Sequence, residues 1–417
     1  MGFIFYMQIA SIAFQFLFKL GKQKTTAIIH RFTYRATSDA KNIVIIGGSF
    51  SGMHLARLLS TSIPTGYKVT LVEKNTHMHY CFAFPRFSVL SGHEYKAFIP
   101  YGGLLRYASE GAISIVHEKA INIHKDYIEL SSDERLSYEY LIIATGVSQH
   151  VPARLLATNK MGGEDELRGY QKAIQASSRI ALIGGGAVGV ELATDIKSFL
   201  PDKNVTLVHS RDHLLVRFGP QLHEAAYSRL QELGVKVYFN ERPPLPDSKP
   251  FIPSETEIEF KNGQVEIFDL VISCIGQSPN SSLLETLLPE TITDNGLIRV
   301  EPTLQVKAKN NNHRNIFAIG DVAATNGPKM AFAGMTQVEV ACSNILSLIR
   351  ENKNTLQHYI PTFIEAKTML SLGKDRGVFF MESGKDYFLK VFNTDTPDVD
   401  AKKLWKILGA DMKEWKD

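Results

Sequence analysis

The chain has 417 residues, more than one compact core holds and enough for two or three domains. Its residues are 44% hydrophobic, 21% charged and 10% aromatic, the make-up of a globular protein. The net charge of +3 is small and dispersed, which excludes the clustered basic face that nucleic acid requires.

The first forty residues stand apart. Residues 2–18 are mostly apolar and aromatic; Lys19, Lys22, Lys24, Arg31 and Arg35 follow, and no acidic residue precedes Asp39. The run is short for crossing a bilayer, which takes about 20 apolar residues. Residues 1–40 therefore read as a segment lying on a membrane surface with its basic flank on anionic lipid. An acid-poor mitochondrial targeting segment and a disordered start stay open. Tyr6 stands where a myristoylation signal has Ser or Thr.

Residues 43–46 (Ile-Val-Ile-Ile) predict a buried strand, 47–52 a glycine turn, 52–59 a helix and 69–72 (Val-Thr-Leu-Val) a second strand ending at Glu73. The turn Gly47-Gly48-Ser49-Phe50-Ser51-Gly52 keeps the first and last glycines of the G-x-G-x-x-G fingerprint, with Ser49 in the middle place. Phosphates would rest on the helix start, where free N–H groups and the dipole favour an anion. Glu73, 21 residues after Gly52, can accept both hydroxyls of an adenosine ribose. A glycine turn without a ligand is the alternative, because the middle glycine is missing.

Residues 75–86 contain His77, His79, Cys81 and Arg86. With no fourth ligand, His-x-His-x-Cys is not a zinc pattern. Cys81, Cys274 and Cys342 make no C-x-x-C pair, which removes a thioredoxin-type dithiol, and so low a count suits a reducing compartment. Residues 141–146 (Leu-Ile-Ile-Ala-Thr-Gly) read as a strand ending in Ala144, Thr145 and Gly146.

The first pattern recurs roughly 140 residues later. Residues 180–183 predict a strand, Gly184-Gly185-Gly186-Ala187-Val188-Gly189 is a full fingerprint, 190–199 a helix, and 205–208 (Val-Thr-Leu-Val) the next strand. That strand ends in His209, Ser210 and Arg211, with no carboxylate to repel a 2′-phosphate, which favours NADPH or dual use over strict NADH. Glu191 lies in the first turn of the helix, where a carboxylate complements the dipole. The Pro-rich stretch 243–253 reads as a loop before strand-like 255–260. Residues 273–280 form a strand ending in a turn at Gly276, and 315–322 a strand ending in Gly320-Asp321. Beyond residue 346, 378–381 and 387–392 predict strands and 401–408 a helix.

The order and spacing of these segments over residues 42–345 resemble the two-dinucleotide-binding-domain flavoproteins, the pyridine nucleotide–disulfide oxidoreductase family. Residues 184–193, 205–210 and 370–378 are most similar to its apoptosis-inducing-factor-like and ferroptosis-suppressor group; type II NADH dehydrogenases are more distant. The resemblance implies an α/β fold of two Rossmann-like dinucleotide-binding domains plus a mixed α+β C-terminal segment. It implies an FAD-binding domain from 41–155 and 290–345, an NAD(P)H-binding domain from 156–289, and an acceptor or interface domain from 346–417. FAD would lie on Gly47, Gly48, Ser49, Ser51, Gly52, Glu73 and Arg86, with Ala144, Thr145 and Gly146 at a chain crossover and Gly320 and Asp321 at the ribitol. Lys329, Met330 and Ala331 would open the helix facing the isoalloxazine. NAD(P)H would lie on Gly184, Gly186, Gly189, His209, Arg211 and Gly276. The resemblance implies Glu191 beside nicotinamide and flavin, and Lys374 is the candidate for stabilising reduced flavin or a quinone oxygen.

A lone thiol after the first βαβ unit cannot cycle as a disulfide, so electrons are expected to leave to a diffusible acceptor, a quinone above all. The chain is thus expected to pass hydride from NAD(P)H to FAD and electrons on to quinone. The C-terminal aromatics Phe379, Phe380, Tyr387, Phe388, Trp405 and Trp415 line a membrane-facing quinone path or form an ordinary core or homodimer face. Two alternatives remain: a sulfide:quinone oxidoreductase in which Cys81 and Cys342 meet at the flavin, and an NAD(P)H-sensing signalling protein with little turnover.

Overall fold

In the computed structural model, which describes residues 18–19, 21–244, 251–309, 313–351 and 356–415, each glycine turn follows the central strands of its own parallel sheet. The apolar run expected at residues 2–18 lies, except for Phe18, outside the described residues, as does 245–250 of the Pro-rich stretch.

The first sheet runs Ile316–Ala318, Tyr140–Ile143, Lys41–Ile46, Tyr67–Val72, Ile113–Val116, with every pair parallel. Its central strands are buried on both faces, which is why they read as unbroken apolar runs. Helices Phe50–Leu59 and Ala331–Ile349 pack together on one face. An antiparallel meander, Ala120–Ile123, Tyr127–Leu130 and Arg135–Ser137, brings Ile123, Ile128 and Leu130 to the apolar cluster on the other. The strand Ile316–Ala318 enters this sheet after the whole second sheet has been traversed.

The second sheet runs Lys236–Tyr238, Asn204–Val208, Arg179–Ile183, Leu270–Ser273, again all parallel. The hairpin Thr256–Glu259 and Val265–Phe268 sets Ile258 and Phe268 against Ala181, Ile183 and Val208. Two antiparallel segments, Val147–Gln149 and Gln277–Pro279, tie the halves where the chain crosses between them. The last part is an antiparallel sheet of Thr368–Ser371, Arg376–Ser383 and Asp386–Asn393, followed by helix Ala401–Ile407. This helix docks on the first half through Trp405, which is fully buried and donates from Nε1 to the Lys96 carbonyl at 2.9 Å.

Both turns solve one steric problem. A Cβ at Gly52 would stand 1.8 Å from the Gly47 carbonyl oxygen, and at Gly189 1.9 Å from that of Gly184, so only glycine lets helix and strand close up. The middle place makes no such demand. Ser49 has φ −86° and Gly186 φ −81°, both ordinary for any residue. These two residues are N-caps in extended conformation, so the helices begin at Phe50 and Ala187, earlier than the periodicity suggests. Three helices, residues 21–33, Lys160–Ala176 and Pro220–Glu232, follow no fingerprint turn, which is why the sequence reading does not place them.

Candidate functional site

A cavity of ≈ 990 Å³ lies where the two sheets' strand ends face each other. Its wall comprises the segments immediately past the strands. Ser49, Phe50 and Ser51 follow Lys41–Ile46; Ala144, Thr145 and Gly146 follow Tyr140–Ile143; Gly320 and Asp321 follow Ile316–Ala318. From the second half come Gly186, Ala187 and Val188 after Arg179–Ile183, and Cys274, Ile275 and Gly276 after Leu270–Ser273. Ligands of open parallel sheets bind at this end because helix N-termini and flexible turns converge there. Lys329, Met330, Ala331 and Glu191 complete the set.

The wall suits a dinucleotide at each turn. No side chain caps the helices that start at Phe50, Ala187 and Ala331, which leaves their first-turn donors to a ligand. A Cβ at Gly186 would meet nothing within 4 Å, so the backbone there faces open space. The flanking Gly47, Gly48, Gly52, Gly184 and Gly189 sit behind this surface and shape it.

The residues closing the second strand of each half play matching parts. Glu73 accepts the Gly48 N–H, and its other oxygen accepts Asn75 N–H at 2.8 Å. Tyr101 donates to the Gly48 carbonyl at 2.8 Å. In the second half, the Gly185 N–H donates to His209 Nδ1 at 3.0 Å. That bond requires the neutral ring with its proton on Nε2, and burial lowers the His209 pKa in the same sense. Nε2 itself is buried without a partner. Arg211 is exposed, and neither it nor His209 lines the cavity.

Asp321 is held in the cavity with Lys329 and Arg217 as its counter-charges. Burial raises its pKa and the two cations oppose that. Lys329 donates to the Ala323 carbonyl, which anchors it at the start of the long helix.

Glu191 sits at a three-way junction. Ser371, on the first C-terminal strand, donates its backbone N–H to Glu191 Oε1 at 3.0 Å. One helical turn further on, Asp195 pairs with the buried Arg86 at 2.8 Å. Arg86 also donates from Nη2 to the Gly373 carbonyl at 2.8 Å and lies over the Phe199 ring. Burial, with the Asp195 charge adding, pushes the Glu191 carboxyl up to about 8, so at neutral pH it is mostly the protonated acid.

Besides His209 and Arg211, two more expected residues are placed otherwise. Lys374 is exposed and off the cavity wall. The turn before it packs so tightly that a Cβ at Gly373 would stand 2.1 Å from Ser198 Oγ, and with its carbonyl on Arg86 the turn leaves Lys374 outside. Arg86 does reach the wall, but its guanidinium is spent on Asp195 and Gly373 rather than left for a phosphate. Cys81 and Cys274 line the cavity while Cys342 does not; burial pushes the first two up to about 11 and about 12. None of the six C-terminal aromatics lines it, and Phe380 and Trp405 are wholly buried core. Ser371 and Lys367 escaped the sequence reading. One acts through a backbone N–H, and the other lies outside every recognisable pattern.

The Pyridine nucleotide-disulphide oxidoreductase family model matches residues 41–343. "Fe-regulated protein 8" of Mycosarcoma maydis is 34% identical over 401 residues, covering 88% of this chain and 95% of that protein. Ferroptosis suppressor protein 1 of Xenopus laevis is 30% identical over 389 residues, covering 90% and 98%. Among solved structures, the sulfide:quinone oxidoreductase of Aquifex aeolicus superposes with a TM-score of 0.69 at 18% identity, covering 88% of this chain and 90% of that one. NDH2 of Plasmodium falciparum in complex with NADH gives 0.66 at 13%, covering 90% and 96%.

The Glu191 environment makes stability depend on pH. A carboxyl whose folded pKa lies above its ordinary 4.5 costs nothing while protonated in both states, and the cost grows as pH rises from there to about 8. Glu191→Gln removes that cost and keeps an oxygen for Ser371. Its melting temperature should match the parent near pH 4.5 and exceed it by several degrees at pH 9. A pH-independent offset in thermal melts would refute this account.

Proposed function

The chain belongs to the pyridine nucleotide-disulphide oxidoreductase family, an FAD- and NAD(P)H-dependent oxidoreductase fold, and on that basis we propose that it is an NAD(P)H:quinone oxidoreductase. The observation that carries the reading is one cavity served by both glycine turns, whose wall thiols burial keeps protonated. A protonated thiol is a poor nucleophile, so the site lacks the thiolate that disulfide chemistry needs, and reducing equivalents leave to a diffusible acceptor. The likeness to a sulfide:quinone oxidoreductase accords with a quinone.

FAD, when bound, supplies the two-electron chemistry. The chain's residues bind, orient and exclude water. The helix starts at Phe50 and Ala187 take the two pyrophosphates, and Asp321 takes polar groups of the flavin chain. Ala331 opens the helix whose positive end, on the cavity wall, would stabilise negative charge on the flavin ring. Glu191, protonated and fixed by Ser371, holds the nicotinamide against it. Purified protein should be yellow, be bleached by NAD(P)H and be reoxidised by ubiquinone-1 or menadione. A colourless chain that takes up no FAD refutes the reading, and bleaching by sulfide without NAD(P)H replaces quinone reduction from NAD(P)H with sulfide oxidation.

NADPH is the preferred donor in this proposal, because His209 occupies the strand end where a carboxylate would repel a 2′-phosphate. The neutral His209 ring there carries no charge to repel that group. His209→Glu can still accept the Gly185 N–H, as Glu73 accepts that of Gly48. It should lower the NADPH-to-NADH ratio of kcat/KM by about tenfold or more, as a buried unpaired repulsion would. An unchanged ratio removes His209 from the donor site.

The proposal extends to a lipid surface. Residues 21–33 are helical and fastened by His30, buried between Ser109 Oγ at 2.7 Å and the Ile63 carbonyl at 2.8 Å. The opposite side presents Ile28, Ile29 and Phe32 at 59%, 56% and 75% exposure, flanked by Lys22, Lys24 and Arg31. Leu105 and Tyr107 extend it, joined through the Arg31–Arg106 contact. Exposed apolar rings among basic side chains suit an anionic bilayer, each basic group contributing about 1 kcal/mol near it. The protein should float with phosphatidylserine-containing vesicles and much less with neutral ones, and Ile29→Glu with Phe32→Glu should abolish flotation. Equal flotation of that variant assigns the surface elsewhere.

A further inference from the structure

Most cations on the cavity wall have a charged or polar partner in the protein, Arg154 only a hydroxyl; among the described residues Lys367 has neither. Lys329 and Arg217 face Asp321, Arg86 pairs with Asp195, and Arg154 donates to Ser148 Oγ at 3.1 Å. Lys367 follows the short turn Phe363–Ala366 and lines the same cavity. Among the described residues no carboxylate lies within ion-pair distance of it. The acid nearest in sequence, Glu365, is buried and already accepts from Tyr359 OH and from the Thr362 N–H at 3.3 Å. Burial accordingly lowers the Lys367 pKa, as for an ammonium stripped of water with no anion in exchange.

What Lys367 does touch is aromatic. Its Nζ stands 3.6 Å from the centroid of the Phe332 ring. Phe332 is the second residue of the helix Ala331–Ile349, whose N-terminus has no side-chain cap. The positive end of a 19-residue helix and a lysine charge therefore fall on one wall. The lining of that cavity also holds apolar side chains open to solvent: Phe82 and Met369 are 50% and 55% exposed, and Phe82 packs on Phe50. An uncompensated ammonium on an aromatic face, beside an apolar rim, recognises a flat apolar ring carrying an oxygen that is, or becomes, an anion.

We infer that Lys367 is the specificity-determining cation of the acceptor site, where its ammonium on Phe332 receives a ring oxygen of the quinone and the negative charge that oxygen gains on reduction. The inference rests on the quinone reading above and names the group that recognises the substrate. The balance is that of the proposed reaction. NAD(P)H gives up a hydride equivalent, two electrons and one proton, solvent supplies a second proton, and quinone becomes quinol. The lysine changes neither side and only stabilises the charge between the two events. It takes the place expected of Lys374, which the fold holds outside.

The test is binding, measured by isothermal titration calorimetry on the FAD-loaded protein. The probes are 2-hydroxy-1,4-naphthoquinone, an anion at neutral pH, and menadione, its neutral relative. Lys367→Met should weaken the anion about tenfold or more, as loss of a charged hydrogen bond does, and menadione less than about threefold. Lys367→Arg should restore the anion. Flavin loading and thermal melting check that each variant is folded, and Lys367→Gln serves if the methionine variant is not. Unchanged affinity for the anion, or equal loss of both probes, overturns the inference. So does loss of NADPH affinity with the anion still bound, which puts the charge on the donor side. If the unsubstituted protein binds FAD but neither probe, the quinone reading itself has failed.

Discussion

The contact on which the site depends is the buried pair of Arg86 and Asp195. Arg86 belongs to a short helix of the first half, Asp195 to the glycine-turn helix of the second, and the Gly373 carbonyl that Arg86 also holds to the C-terminal sheet. Such a pair is no evidence of net stability, since desolvating both charges can cost as much as their attraction returns. Its force lies in asymmetry: with either partner removed, a charge remains buried and unpaired, at about 3–5 kcal/mol. Arrangements of the three segments that separate these two residues are therefore excluded. Glu191, one turn from Asp195, owes its place to this constraint as much as to Ser371.

Around that junction the cavity is arranged so that burial sets protonation. Glu191 is pushed up to about 8, and Cys81 and Cys274 to about 11 and 12, so groups that could be anions beside a flavin are mostly neutral at pH 7. Burial raises the Asp321 carboxyl too, and there Lys329 and Arg217 oppose it. A wall with few anions and a helix N-terminus aimed at it favours the reduced, more negative forms of whatever rings bind there. Chemistry that accumulates negative charge is thus favoured by backbone orientation and desolvation.

How much of this was legible in the sequence follows from the range of the interactions involved. The strands and glycine turns were, because a doubly buried strand needs an unbroken apolar run and the Gly47–Gly52 and Gly184–Gly189 approaches admit no Cβ; both causes are local. Ser49 counted against the first site only while the fingerprint was read as three equal glycines. Its ordinary φ shows that the middle place asks for a small side chain, not for glycine's backbone. The partners of Glu191 were illegible, since Ser371 contributes a backbone N–H from 180 residues away. Lys374 drew attention because it sits in a motif, yet the motif's packing is what turns it out; Lys367, outside any motif, lines the wall together with Lys329.

The two turns also show how one backbone device is given opposite electrostatic senses. In each, the N–H of the second glycine finds its acceptor at the end of the neighbouring strand, as a backbone donor withdrawn from water must. Glu73 meets that need with a carboxylate and His209 with a neutral ring nitrogen. The structural duty is the same, but the first places a carboxylate at the strand end and the second a neutral ring. Strand-end identity is therefore free to vary with the ligand only within the set of residues that can accept this one bond. Within that limit His209 makes the bond in the second half, and the exposed Arg211 takes no part in it.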